Sequence, residues 1–274
     1  MNSNIKNIIP RKLGYLLKNI RLMVRGYLYK GDRYYCPICQ HSFKTMLPGG
    51  FNLPVTKEKE IIGGGYRQNN ICPRCQSTDR DRLVYLYLKE KTTFFTEPQQ
   101  VLHVAPEQSL FRVFSKLPNL TYIVGTKYQE GFYYSDELPV IDLRALLYKN
   151  NTFDFVIANH VLEHIKEEER VLHEIFRVLK PGGSAIVQVP IANKLNKTFE
   201  DPGILTKNDR EKFYGQFDHV RLYGKDYPDH LSAAGFVVTK IKPGEKHWQM
   251  SEINKFALNA DEHLYIAKKT AIKP

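Results

Sequence analysis

All four cysteines of this chain fall into two matching turns, Cys36-Pro-Ile-Cys39 and Cys72-Pro-Arg-Cys75. A CxxC turn brings two thiolates to one side of a tight loop. Two such turns facing each other offer four sulfurs in a tetrahedron, the set that suits Zn²⁺. The competing reading is a pair of thioredoxin-like redox sites. It fits poorly, because neither CxxC opens a helix after a buried strand. Zinc held by Cys36, Cys39, Cys72 and Cys75 is therefore the expectation. A closed four-thiolate shell leaves no open position, so the ion is expected to be structural. It would hold a ribbon-like module over residues 31–78 that is too short to bury a core of its own. His41 is a spare ligand or a surface residue. Residues 49–65, with glycine clusters and charged residues 57–60, read as an exposed loop or hairpin tip inserted between the two turns. Cysteines used only in such pairs favour a reducing, cytoplasmic setting over a disulfide framework.

Charge separates the first 30 residues from the rest. The chain carries a formal net charge of +11. Seven of its positives (Lys6, Arg11, Lys12, Lys18, Arg21, Arg25, Lys30) lie in residues 1–30, where no acid occurs. The remainder is only mildly basic, so a nucleic-acid partner would be reached mainly through this arm. Within it, residues 8–28 place Ile9, Leu13, Leu16, Leu17, Ile20 and Val24 at helical spacing. The pattern predicts a basic amphipathic helix. Three contacts remain open for it: the protein's own body, an anionic membrane surface at the inner face, or RNA phosphates. Charge interrupts the apolar residues too often for a secretory signal. No stretch approaches the roughly 20 apolar residues that cross a bilayer.

From residue 79 onward, short apolar runs alternate with amphipathic stretches. Residues 101–104, 122–124, 153–158 and 184–189 are strand candidates, and residues 82–90, 110–117 and 167–179 are helix candidates. Such alternation predicts βαβ units, hence an α/β domain over residues 79–270 with a mainly parallel, Rossmann-like sheet. Residues 236–241 and 263–268 are expected to add a late antiparallel edge.

Two segments of this domain resemble a known family. The run Phe153-Asp154-Phe155-Val156-Ile157-Ala158-Asn159-His160-Val161-Leu162-Glu163-His164 is similar to the fourth strand and following turn of class I, type 11-like, S-adenosylmethionine-dependent methyltransferases. The run Arg177-Val178-Leu179-Lys180-Pro181-Gly182-Gly183 resembles the next helix stop of the same enzymes. The paired CPxC turns, the segment Val101–Glu107, Glu200-Asp201-Pro202 and Asp218–Gly224 are further similar to a bacterial subgroup with zinc knuckles.

The resemblance implies S-adenosyl-L-methionine as cofactor. It places the cofactor against His103, Ala105, Pro106 and Glu107 after the first strand. Thr126 would lie at the ribose, Asp142 and Leu143 at the adenine, and Asn159 and His160 under the methionine portion. The pattern departs from the family in two places. The first turn has no glycine, and Thr126 stands where a ribose-binding acid is usual; Glu130 is the candidate replacement. His160 and His219 are the candidate catalytic residues, since histidine accepts protons near neutral pH. His164 shares a face with His160. Glu200, Asp201, Asp218 and Arg221 are candidate substrate contacts. Arg80 and Arg82 are expected to brace the two modules. No Asn/Asp-Pro-Pro-Tyr/Phe sequence follows the fourth strand, which points away from amide or nucleobase nitrogen and toward oxygen. The acceptor implied is a small molecule or a glycan- or lipid-linked group. The alternatives are an RNA methyltransferase and a non-catalytic scaffold on the same fold.

Overall fold

The structure, a computed structural model, describes residues 11–127 and 138–270. The first ten residues of the basic arm, and Glu130, lie outside the described residues. Helix α1 (Arg11–Leu28) precedes a strand pair, β1 (Lys30–Cys36) and β2 (His41–Phe43). Strand β3 (Leu47–Gly49), helix α2 (Pro54–Glu58), β4 (Ile61–Ile62) and β5 (Arg67–Ile71) complete the cysteine region. β1 pairs with β2 and β3 with β5, both antiparallel, which sets the two CxxC turns face to face.

The α/β domain begins with α3 (Asp79–Lys91), β6 (Gln99–Val104), α4 (Gln108–Phe114), β7 (Leu120–Lys127) and β8 (Val140–Ile141). It continues through β9 (Phe153–Ile157), α5 (Glu168–Val178), β10 (Leu179–Ile186) and β11 (Ile191–Ala192). Helices α6 (Lys207–Tyr214) and α7 (Tyr227–Ala233), strand β12 (Val237–Ile241), helix α8 (Met250–Lys255) and strand β13 (Leu264–Lys268) follow. Seven strands form the main sheet in the order β12-β13-β10-β9-β6-β7-β8. All neighbours from β8 to β10 are parallel, while β13 runs antiparallel to both β10 and β12. The expected Rossmann-like sheet with a late antiparallel strand is therefore present; β13 sits one place in from the edge, and β12 lies outside it.

Strand alternation divides the core between the two faces of the sheet. Leu102, Val104, Val156, Ala185 and Val187 pack against the apolar stripe of α5, formed by Val171, Leu172, Ile175 and Val178. Val101, Phe155, Ile157 and Ile186 pack on the other face with Leu83, Leu88, Phe94, Leu110 and Ile253. Cys36, Ile38, Phe43 and Met46 belong to this second core, so the cysteine region is welded to the sheet layer.

Two local expectations change. Residues 49–65 are not an exposed tip. Val55 and Ile61 bury with Ala192, Tyr214 and Leu222, and β4 pairs with β11. The apolar side chains among the glycines and lysines find a surface on the larger domain. At the stop of α5, the chain enters β10 at once, with Leu179 opposite Phe153. Gly183 is needed there, because a Cβ would stand 2.9 Å from the Lys180 carbonyl oxygen and 3.0 Å from that of Asp154.

Candidate functional site

The chain runs outward from β6 to β8 on one side and from β9 to β10 on the other, so the sheet's switch point lies between β6 and β9. Ligands of open parallel sheets bind at the carboxyl ends of such strands. Both turns here are strained. Ala105 follows β6 with φ +51°, and His160 follows the end of β9 with φ +52°. Left-handed backbone at residues with a Cβ is costly and concentrates at functional sites.

A hydrogen bond crosses the switch point, from Asn159 Nδ2 to Glu107 Oε1 at 3.2 Å. His103, fully buried, donates from Nε2 to Glu107 Oε2 at 2.9 Å, and its Nδ1 accepts from the Tyr122 hydroxyl at 2.8 Å. Burial pushes the Glu107 carboxyl up, but His103 outweighs it and leaves the net direction down. Asn159 Oδ1 also accepts from the backbone N–H of Gln188 at 3.3 Å. His103, Glu107 and Asn159 thus form one hydrogen-bonded line along the carboxyl edge. Pro106 sits beside it, half-buried. Thr126 is buried at the end of β7, its N–H donating to the Pro139 carbonyl. Leu143 is buried, while the Asp142 carboxylate is tied to Arg144 at 2.9 Å and 3.0 Å.

A cavity of about 350 Å³ opens beside His160. One wall is Gly63, Arg67, Asn70 and Thr78, from the cysteine region. The other includes Arg80, His160, Glu163, His164 and His219. Gly63 has φ +86°, and a Cβ there would stand 3.4 Å from His160 Cε1 and 3.2 Å from Glu262 Oε1. The close approach of the two regions depends on that glycine.

Arg80 donates from Nη1 to His160 Nε2. His160 Nδ1 then carries the proton and faces Glu163 Oε1 at 3.1 Å. Burial and the Arg80 guanidinium push His160 down to about 4. Burial likewise pushes His219 down to about 4. Both imidazoles are therefore neutral at pH 7. Glu163 is buried to 1% exposure. Burial pushes its carboxyl up, and the surrounding imidazoles, His160 nearest, more than reverse that and hold it well below the usual range. His164 Nδ1 lies 3.1 Å from Asp218 Oδ2, and its ring meets His219 edge-on at 4.8 Å.

The structure brings His160 and His219 to one cavity, whose lining residues do not include Glu200 or Asp201. Arg221 is 3% exposed and spends its guanidinium on the carbonyls of Leu162, Ile165 and Lys166 and on Glu200 at 2.7 Å. Asp201 Oδ1 accepts from the Gly203 N–H at 2.7 Å, closing its own turn. Arg82 spans the two regions as expected, donating to Asn70, Ser77, Phe256 and Ala257 carbonyls. Arg80 instead turns to His160. Glu163 belongs to the same motif, and its place three residues after His160, one turn on, is the sequence signal that pairs them. Glu262, buried and pushed up to about 7 by burial and the Asp79 charge, had no sequence signal at all.

The four cysteine sulfurs also converge. Cys36 Sγ is 3.6 Å from Cys75 Sγ, and Cys39 Sγ is 3.7 Å from Cys72 Sγ. A tetrahedron with metal–sulfur bonds of about 2.3 Å has edges of about 3.8 Å, whereas a disulfide needs about 2.05 Å. The thiols are free and fit a tetrahedral ion. His41 is exposed, bonded through Nδ1 to the Cys39 carbonyl, and stands outside that cluster.

Residues 124–187, from β7 to the end of β10, match a family described as a methyltransferase domain. The chain is 30% identical over 119 residues to the ubiquinone/menaquinone biosynthesis C-methyltransferase of Salmonella arizonae, covering 39% of this chain and 43% of that protein. It is 38% identical over 58 residues to the enzyme of the same name from Hydrogenovibrio crunogenus, covering 21% and 23%. The matched stretch thus spans less than half of these curated relatives. A solved methyltransferase from Archaeoglobus fulgidus aligns over 70% of this chain and 95% of its own, with 16% identity and a TM-score of 0.43. The likeness is to methyltransferase domains, and the family match takes in β9 and the turn after it, on one side of the switch point.

Proposed function

We propose that the chain is an S-adenosylmethionine-dependent methyltransferase that methylates an oxygen of a small, glycan-linked or lipid-linked acceptor. The observation that carries this reading is the overlap of the methyltransferase match, residues 124–187, with the strained turn after β9 that holds Asn159 and His160. S-adenosylmethionine supplies an electrophilic methyl group when bound. His103, Ala105, Pro106, Glu107, Thr126, Asp142, Leu143, Asn159 and His160 are the residues that would hold it. His160 and His219 line the adjoining cavity as neutral imidazoles, suited to orient an acceptor, and His219, whose Nδ1 has no hydrogen-bond partner, is the one placed to receive its proton. The cysteine region supplies one wall of that cavity. The curated relatives are named as C-methyltransferases, so carbon is the acceptor atom to be distinguished from oxygen in the product.

Zn²⁺ is proposed at Cys36, Cys39, Cys72 and Cys75, on the strength of their sulfur spacing. Peripheral membrane contact is proposed for α1. Its Leu16, Met23, Val24 and Leu28 are each more than half exposed beside Arg21 and Arg25. None of the described helices is long and apolar enough to cross a membrane.

Calorimetric titration of the full chain with S-adenosylmethionine tests the main claim. Saturable binding is expected, with Asn159→Ala weakening it about tenfold through loss of roughly one hydrogen-bonded contact. A folded chain that gives no saturable heat overturns the assignment.

A further inference from the structure

We propose that Glu163, His164 and His219 form a second metal site, for a divalent transition-metal ion, open toward the cavity and distinct from the four cysteines. One donor atom from each of the three residues lies within 4.8 Å of the others. Glu163 is 1% exposed; its Oε1 faces His160 Nδ1 at 3.1 Å, and its Oε2 has no hydrogen-bond partner. His219 is 6% exposed, and its Nδ1 also lacks one. A buried carboxylate oxygen without a partner is costly, and buried charges are normally paired or bound to metal.

The second line of support is the way His164 is held. Its Nδ1 faces Asp218 Oδ2 at 3.1 Å, and Asp218 in turn accepts from Gln216 Nε2 at 2.7 Å. This leaves Nε2 directed toward Glu163 Oε1, 4.0 Å away. A carboxylate bonded to one ring nitrogen, with the other nitrogen turned to a shared point, is the arrangement that orients metal-binding histidines. Metal–ligand bonds of about 2.0–2.2 Å require donors about 3.0–3.5 Å apart, so an ion would draw the side chains inward by roughly half an ångström to one ångström. Arg80 is hydrogen-bonded to His160.

Two imidazoles and one carboxylate leave coordination positions open, here toward the cavity. The use of the ion rests on the methyl-transfer reading; its binding does not. An acceptor hydroxyl on an open position would lose its proton to solvent more readily, keeping the electron pair on oxygen. His219 then serves as a ligand in place of a proton acceptor.

The test uses the full chain with its cysteine-bound metal retained and loosely held metal removed. Titration with MnCl₂ is followed by calorimetry and by water-proton relaxation. Mn²⁺ is chosen because thiolates hold it weakly. Saturable binding of one Mn²⁺ per chain is expected. Glu163→Gln and His219→Ala should each weaken it by about tenfold to a hundredfold, and Asp218→Asn by about tenfold. No saturation, or saturation that these substitutions leave unchanged, overturns the site. Should the variants not fold, paramagnetic broadening of the His164 and His219 ring signals in the unaltered chain decides: broadening supports the site, and its absence at saturating Mn²⁺ overturns it. S-adenosylmethionine binding is measured on the same samples. Cofactor binding without Mn²⁺ binding removes only the metal site, and the reverse removes only the methyl-transfer reading.

Discussion

Ala105 holds a backbone angle that glycine adopts without penalty, φ +51° at the turn after β6. The left-handed region costs an L-residue about 1–2 kcal/mol, and glycine gives back part of that in unfolded-chain entropy. Ala105→Gly is therefore expected to be neutral or to stabilise by up to about 1 kcal/mol in urea unfolding, whereas Ala105→Val should destabilise by more than about 1 kcal/mol. This turn was legible from sequence as a departure, because alanine stood where glycine was expected. That the backbone keeps the glycine conformation anyway was not, since φ is set by the Ala105 N–H bond to Gly125 and the packing around it. A second residue-scale expectation concerns His230. Its Nδ1 lies 2.9 Å from Glu168 Oε2 and its Nε2 3.6 Å from Asp226 Oδ2. The Glu168 hydrogen bond raises its pKa above 6.5, and burial only partly opposes it. A pKa raised in the folded state stabilises fully below the unfolded value and ceases to do so as pH rises through the folded one. The stability difference between the parent and His230→Gln should thus be largest below about pH 6.5 and shrink above it. A pH-independent difference would mean that packing, not charge, is what His230 contributes.

Helix α3 joins the cysteine region to the sheet, and Arg82 is its anchor. The guanidinium is fully buried and donates to four backbone carbonyls, two before α3 and two after α8. Replacing it with leucine removes every one of those donors at once, and the expected loss is at least about 3 kcal/mol by chemical denaturation. The cap of the same helix offers a smaller, separable test. Thr78 and Asp81 form a reciprocal box, so Thr78→Ala should cost about 1 kcal/mol. Helix α3 and its neighbours α4 and α5 were legible from spacing, as was each strand with an apolar run. Helices α6, α7 and α8 were not, because they are short and bury only one or two side chains each: Tyr214, Tyr227 with Leu231, and Ile253. Helix α1 was read correctly as amphipathic, yet its orientation could not come from spacing. Among the described side chains of α1, Leu22 alone of the large apolar residues is buried, while Lys18 reaches Gln108 and Arg25 reaches the Pro73 carbonyl.

At the scale of the whole molecule, the cysteine region and the sheet share one core and one cavity. Sequence spacing separated them into a small metal-tied module and a larger α/β domain, because their periodicities differ. It could not reveal that Gly63 would meet His160, or that β4 would pair with β11, since those contacts join residues more than 90 positions apart in the chain or on strands of two residues. The consequence is cooperative. If the four thiolates hold zinc, the ion fixes β1, β2 and β5. Strand β5 sets Arg67 and Asn70 on the cavity, and β1 and β2 set Cys36 and Phe43 on the layer beneath the sheet. Removing the ion with a strong chelator should therefore do more than loosen a peripheral ribbon. The expected result is release of one zinc per chain, a single lowered thermal transition, and loss of the His160–Arg80 contact, read as a changed His160 ring signal. Cys72→Ser should reproduce it. Two separate transitions, the upper one unchanged by chelation, would show instead that the sheet domain stands without the module and that the cavity wall is dispensable to its fold.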